Sequence, residues 1–149
     1  MLRNGVDPAK GPCFQDFGSR EKGVYLTDDF SAAVNWCQKR IPEWNQAAIV
    51  HFAILNDIYE GHALGSNQHI DLCRDGSDWR CFVWSCRNKE NFIHESETAF
   101  GPICANPREP ENDLVELESW NQLALFKGDI VLQFTTSIFG IHFFVEEQD

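Results

Sequence analysis

Asp16-Phe17-Gly18, a short insert Ser19-Arg20-Glu21-Lys22, and then Gly23-Val24-Tyr25-Leu26-Thr27 running into Asp28-Asp29 form the stretch whose reading decides the fold. Gly23 to Thr27 reads as a short strand. Asp28 or Asp29 can cap a helix reaching Arg40, because Phe30, Ala33, Val34, Cys37 and Ile41 recur at helical spacing. Pro42 is expected to close that helix. A glycine-flanked aromatic strand leading into a capped helix can hold one tyrosine ring at the wall of a ligand pocket. Gly18 and Gly23 let backbone approach a ligand, and Tyr25 offers a π-face and a hydroxyl. The same pattern is equally that of a strand aromatic packed into a core, and local spacing does not separate the two.

Outward from this stretch, residues 1 to 23 carry the turn signals Val6-Asp7-Pro8 and Gly11-Pro12 and read as a loop-dominated entrance. Ala47 to Leu55 is apolar on both alternating faces, which predicts a central strand buried from two sides. From Asn56 to Gln68 the pattern dissolves into a connection. Asp75-Gly76-Ser77-Asp78 predicts a helix start ahead of Trp79, Phe82, Val83 and Cys86 on one face. Thr98 to Cys104 reads as a strand broken by Gly101-Pro102, and Asn106 to Asn112 as an exposed acidic loop. Leu114–Glu118, Trp120–Phe126, Asp129–Phe134 and Ile141–Val145 are four further strand candidates. Strands interrupted by two early helices predict an α+β class in a single domain over residues 1–149.

Composition narrows the partners. A formal net charge of −11 opposes phosphate backbones and anionic lipid, which need clustered Lys and Arg, so neither nucleic acid nor a membrane surface is expected. No apolar run approaches the roughly 20 residues of a membrane-spanning helix. The six cysteines follow no signal-like apolar segment, and Cys37 and Cys86 fall on apolar helix faces. Buried free thiols in a cytoplasmic protein are therefore the expectation rather than a disulfide framework.

Motif chemistry is sparse. Cys-x-x-Cys is absent, and the nearest approach to a metal-ligating pair is His69-x3-Cys73, so no metal site is predicted. Gly-x-Ser-x-Gly, the phosphate-cradling Gly-x-x-x-x-Gly-Lys-Ser/Thr loop and Gly-x-Gly-x-x-Gly are also missing. Hydrolase triads and the two commonest nucleotide folds are disfavoured.

Taken together, the segments resemble a widespread uncharacterised family with the signature Asp-Phe-Gly-x-Gly-Phe-Tyr-Leu-Thr, thought to share the ADP-ribosyltransferase-like fold. Asp16-Phe17-Gly18 with Gly23 to Thr27 is similar to that signature, and Ala33 to Gln38 to its Ala-x-x-Trp-Ala helix. Trp79 to Val83 with Cys86-Arg87, Gly101-Pro102-Ile103 and Gln122-Leu123-Ala124-Leu125 resemble later segments in the same order. The resemblance implies an α+β split β-sandwich with short flanking helices and a cleft for NAD. Asp16, Phe17, Gly18, Gly23, Tyr25 and Thr27 would line it, with Tyr25 stacking on nicotinamide. Gln122 would occupy the position where a Glu usually bonds the ribose and stabilises an oxocarbenium-like transition state. A neutral amide bonds ribose without supplying that charge. The family also has a His-Gly strand ahead of the segment seen here as Asn4-Gly5-Val6-Asp7, so this first strand is expected to be missing or replaced. The implied activity is transfer of ADP-ribose, to a protein acceptor among others, or hydrolysis of NAD at the nicotinamide-ribose bond. The alternatives are a catalytically degraded binding module and a fold redirected to another small molecule.

Overall fold

In the computed structural model the described residues are 15–20, 22–44, 46–53, 69–73, 76–126 and 138–145. Four strands form the larger sheet: β1 (Val24–Thr27), β3 (His69–Asp71), β4 (Thr98–Cys104) and β5 (Glu116–Leu125), in the spatial order β1-β5-β4-β3. The β1–β5 and β5–β4 pairs are antiparallel and β4–β3 is parallel. A separate antiparallel pair joins β2 (Gln46–Phe52) to β6 (Ile138–Val145). With helices α1 (Phe30–Trp44) and α2 (Gly76–Asn88), the class is α+β.

Helix α1 begins as its sequence dictates. Asp29 is the cap, its Oδ1 accepting the Ala32 N–H at 2.7 Å, while the Asp29 N–H donates to Thr27 Oγ1 at 3.2 Å. The helix passes Pro42 and ends at Trp44, since a proline in the last turn forfeits one intrahelical bond but leaves only two residues to hold. Cys37 is buried on α1, as is Ala32, whereas Phe30 is half-exposed and stacks on His51 at 5.5 Å.

Helix α2 buries the face that its periodicity predicts: Trp79, Val83 and Cys86 are fully buried, and Phe82 packs against the same core. It lies over the face of the larger sheet that carries Ala99, Gly101, Gln122 and Ala124. These residues face one another across strands in the pairs Ala99↔Ala124 and Gly101↔Gln122. Small side chains there let Phe17, Leu72 and Trp79 fill the space between helix and sheet. The Trp79 indole Nε1–H is satisfied by Pro102 O at 3.0 Å.

Three expectations are corrected. Ala47–Leu55 is expected to be a central strand buried from two sides, but in β2, which pairs with β6 among the described residues, only Ile49 of the described side chains is buried. An apolar run signals burial without saying which sheet provides it. Thr98–Cys104 is continuous through Gly101-Pro102, with the irregularity displaced to the Pro102/Cys104 step. The strand candidates around Leu114–Glu118 and Trp120–Phe126 are one strand, β5, with a bulge at Ser119, whose φ is 66°. Strand β3 was read as no element at all: its three residues are too few to show a period. The candidates at 56–68 and 129–134 lie outside the described residues.

Gly101 carries a further consequence. A Cβ added there would meet Leu72 Cβ at 2.8 Å and Phe17 Cζ at 3.3 Å. Leu72 is held by its own N–H bond to Phe100 O at 2.8 Å, so it has little room to retreat. Gly101→Ala is expected to lower stability by about 1–3 kcal/mol, read by thermal or urea unfolding. An unchanged midpoint would show that β3 is not packed this tightly on β4.

Candidate functional site

The signature begins with a tight turn. Gln15 and Gly18 exchange backbone bonds, Gln15 N–H to Gly18 O at 2.8 Å and Gly18 N–H to Gln15 O at 3.4 Å, which aims Asp16 and Phe17 inward. Phe17 is fully buried and Asp16 is 4% exposed. A buried carboxylate must collect donors or lose its charge, and Asp16 collects them from three separate elements. Arg87, in the last turn of α2, donates to Oδ1 from Nε at 2.6 Å and also pairs with it through Nη2. The Cys104 backbone N–H on β4 reaches Oδ2 at 3.0 Å, and Gln122 Nε2 on β5 reaches the same oxygen at 2.7 Å.

Gln122 is therefore held by its amide donor, with Asp16 as the acceptor. Its neighbours across the sheet are Thr27 on β1 and Gly101 on β4. Because directly opposed residues share a face, Tyr25, Thr27 and Gln122 all stand on the side covered by α2 and the Asp16 turn. Tyr25 is half-buried, its ring centroid 6.5 Å from that of Phe17. Its hydroxyl is buried with no hydrogen-bond partner among the described residues, the Phe17 backbone coming near without bonding geometry. Burial, reinforced by the Asp16 carboxylate, drives the Tyr25 hydroxyl's pKa upward, so it stays protonated.

The remaining predicted residues serve the backbone. Gly23 is buried against Phe126, whose ring carbons would lie 3.0 Å from an added Cβ. Thr27 accepts the N–H of Asp29, the cap residue of α1, through its hydroxyl oxygen. Ser19 is fully buried and donates to Lys89 O at 2.8 Å, and Arg20 forms an exposed ion pair with Glu90 at 3.2 Å. The insert between the glycines is thus tied to the turn after α2.

Sequence reading did not find Arg87 as the partner of Asp16, a contact 71 residues away along the chain. It also missed His94, whose Nε2 lies 2.6 Å from Phe17 O and whose ring packs on Phe82 and Phe126. The resemblance of Cys86-Arg87 to an Asn-Arg segment of that family is the one signal that singles Arg87 out.

A cleft of about 360 Å³ lies elsewhere, between β3 and α2. None of the predicted site residues lines it. Residues 1–14, which hold the Asn4-Gly5-Val6-Asp7 segment, lie outside the described residues. Among the described residues no group of His, Cys, Asp and Glu is arranged to hold a metal ion, five cysteines are free thiols, and no helix is long and apolar enough to cross a membrane. Comparison with known proteins finds no matching family model, curated protein or solved structure.

Two expectations follow from this chemistry. Gln122→Glu sets a second carboxylate against Asp16 where a donor stood, so the new group's folded pKa rises above the roughly 4.3 of an unfolded Glu. Its stability deficit relative to wild type should be small near pH 4 and grow as pH rises to 7. By contrast, Gln122→Met, which only removes a charge-assisted bond, should cost about 1.5–3 kcal/mol with little change over that range. Equal pH profiles for the two variants would show that Gln122 does not face Asp16. The second concerns Cys73, whose Sγ lies 3.8 Å from Asn121 Oδ1. Partial desolvation of the sulfur, then the carboxylates of Asp71, Glu116 and Asp28, push this thiol up to about 11. In the wild type at pH 8 only about one Cys73 in a thousand is a thiolate. Alkylation mapped by mass spectrometry should label it slowly at that pH and speed up tenfold per pH unit; rapid labelling at pH 7 would refute the assignment.

Proposed function

We propose that this chain is an ADP-ribosyltransferase-like domain that binds NAD, with Tyr25 against the nicotinamide ring and Gln122 toward the adjoining ribose. The observation that carries this reading is the β1–β5 register, Tyr25↔Ala124 and Thr27↔Gln122. It sets the two residues that the resemblance singles out on one face of neighbouring strands, at the diagonal spacing of roughly 7–8 Å that a nicotinamide riboside can bridge. In the hydrolytic form of the reaction, the bond between nicotinamide nitrogen and the ribose anomeric carbon breaks. Water adds its oxygen to that carbon, and nicotinamide, ADP-ribose and a proton leave. Tyr25, kept protonated by its surroundings, contributes a neutral ring and no base.

One observation favours a second reading, a nucleotide-binding module without bond cleavage. Gln122 already spends its amide donor on Asp16, and what it presents to ribose is neutral. The pyrophosphate also finds Arg87 committed to Asp16 and Arg20 paired with Glu90.

Calorimetry with NAD, joined to chromatographic detection of nicotinamide, separates the readings. Binding with release supports the enzyme, and binding without release supports the module. Tyr25→Ala should weaken NAD binding by about tenfold or more in either case, the worth of a stacked aromatic. No binding by the wild type would overturn both.

A further inference from the structure

A glutamine side chain has two unlike ends, an NH2 group that only donates and a carbonyl oxygen that only accepts. At position 122, Asp16 decides which end faces which way. Its Oδ1 accepts from Arg87 Nε at 2.6 Å and its Oδ2 from the Cys104 N–H at 3.0 Å, so the carboxylate is an acceptor at both oxygens. The end of Gln122 that lies 2.7 Å from Oδ2 is therefore Nε2, since a carbonyl in its place would set oxygen against oxygen. Because the amide is planar, Oε1 then points away from Asp16, and a half-turn would exchange a charge-assisted bond for a repulsion. Among the described residues Oε1 receives no hydrogen bond, and it is not one of the fully buried side-chain atoms so left. Gln122 keeps 9% of its surface exposed. Its outward-facing end is an acceptor.

We propose that Asp16 is a positioning residue for the ligand site: by holding Nε2 it presents Gln122 as an acceptor, so the site takes a ligand group that donates a hydrogen bond there and discriminates against one that can only accept. The proposal rests on the NAD reading above, in which that group is a hydroxyl of the nicotinamide ribose. A hydroxyl can turn its proton toward Oε1, whereas a fluorine in its place leaves one acceptor facing another. Such a mismatch is costly because the protein's own polar atom then goes unpaired on binding. Asp16 acts here through Gln122 and does not itself reach the ligand. Its own position is fixed in turn by the Gln15–Gly18 backbone bonds and by Arg87, so the signature turn and the end of α2 both take part in the selection.

The first measurement is made on the wild-type chain by side-chain amide NMR, with the Gln122 signals identified by their loss in Gln122→Met. One Nε2 proton should lie downfield and exchange slowly, as a bond to a carboxylate requires. When NAD is added, that proton should keep its place while the Gln122 carbonyl carbon shifts. An Nε2 proton that moves upfield on binding, or that never shows the carboxylate bond, would overturn the proposal. The second measurement is calorimetry with NAD analogues in which fluorine replaces either the 2′ or the 3′ hydroxyl of the nicotinamide ribose. Replacement at one of these positions should weaken binding to the wild type about fivefold or more, the worth of one hydrogen bond, and Gln122→Met should lose that preference. In Asp16→Asn the charged Arg87 donors claim the asparagine oxygen, leaving its Nδ2 toward Gln122. The glutamine should then turn over, so that its Nε2 protons become the signals that respond to NAD. If that variant does not fold, the wild-type spectra and the analogue series decide. Equal binding of NAD and both analogues by the wild type would overturn this proposal alone. No binding of NAD would overturn the ligand class together with the reading it rests on, and the ligand-free spectrum would still decide whether Asp16 sets the amide.

Discussion

The Asp16 carboxylate is the constraint on which the rest of the site depends. Removing a charge from water is costly, and an isolated buried carboxylate would instead take up a proton. Here the Arg87 guanidinium, the Cys104 backbone N–H and the Gln122 amide all donate to it. Each donor comes from a different element, so one side chain joins the signature turn to α2, β4 and β5. Arg87 also stands in the last turn of its helix, where the exposed carbonyl ends favour a cation. Such a pair need not be more stable than a well-packed apolar replacement. Its effect is on specificity: a misplaced helix or a slipped strand would leave the carboxylate short of donors.

Close packing follows from that anchor. With the turn held, Phe17 enters the space between α2 and the sheet, where β4 and β5 carry the small residues Ala99, Gly101 and Ala124. Gly101 is the tightest of these, because Leu72 from β3 and Phe17 from the turn converge over it. The same crowding places Tyr25 partly inside the core, so any ligand stacked on its ring must lie on the side away from Phe17. The residue that the resemblance singles out as a ligand contact is thus a packing residue in the structure.

How much of this was legible in the sequence depends on the range of the interaction. Helix α2 and its buried face could be read because Trp79, Val83 and Cys86 repeat with the helix period. The cap at Asp29 is local and was equally readable. Strand β4 was misjudged at Gly101-Pro102, where local propensity argues for a break. Tertiary packing overrides it, since only glycine fits beneath Leu72 and the Pro102 carbonyl accepts the Trp79 indole. The run at Ala47–Leu55 is a strand as read but is not buried from two sides, because apolar residues on both faces carry no address for what covers them. At the site, Asp16 was legible only as part of a signature. That it pairs with Arg87 and orients Gln122 is a matter of three-dimensional proximity, which no spacing rule encodes.

A glutamine at position 122 then has a local physical reason that does not depend on catalysis. A glutamate there would oppose Asp16 at hydrogen-bonding distance, and two carboxylates so close cannot both stay ionised. The amide removes the conflict and turns it into a bond. Placing a carboxylate at 122 therefore requires changing its acceptor as well, for instance to an asparagine whose amide can donate outward. Position 16 and position 122 form one unit: the charge that the signature buries at Asp16 is the charge that the strand opposite does without.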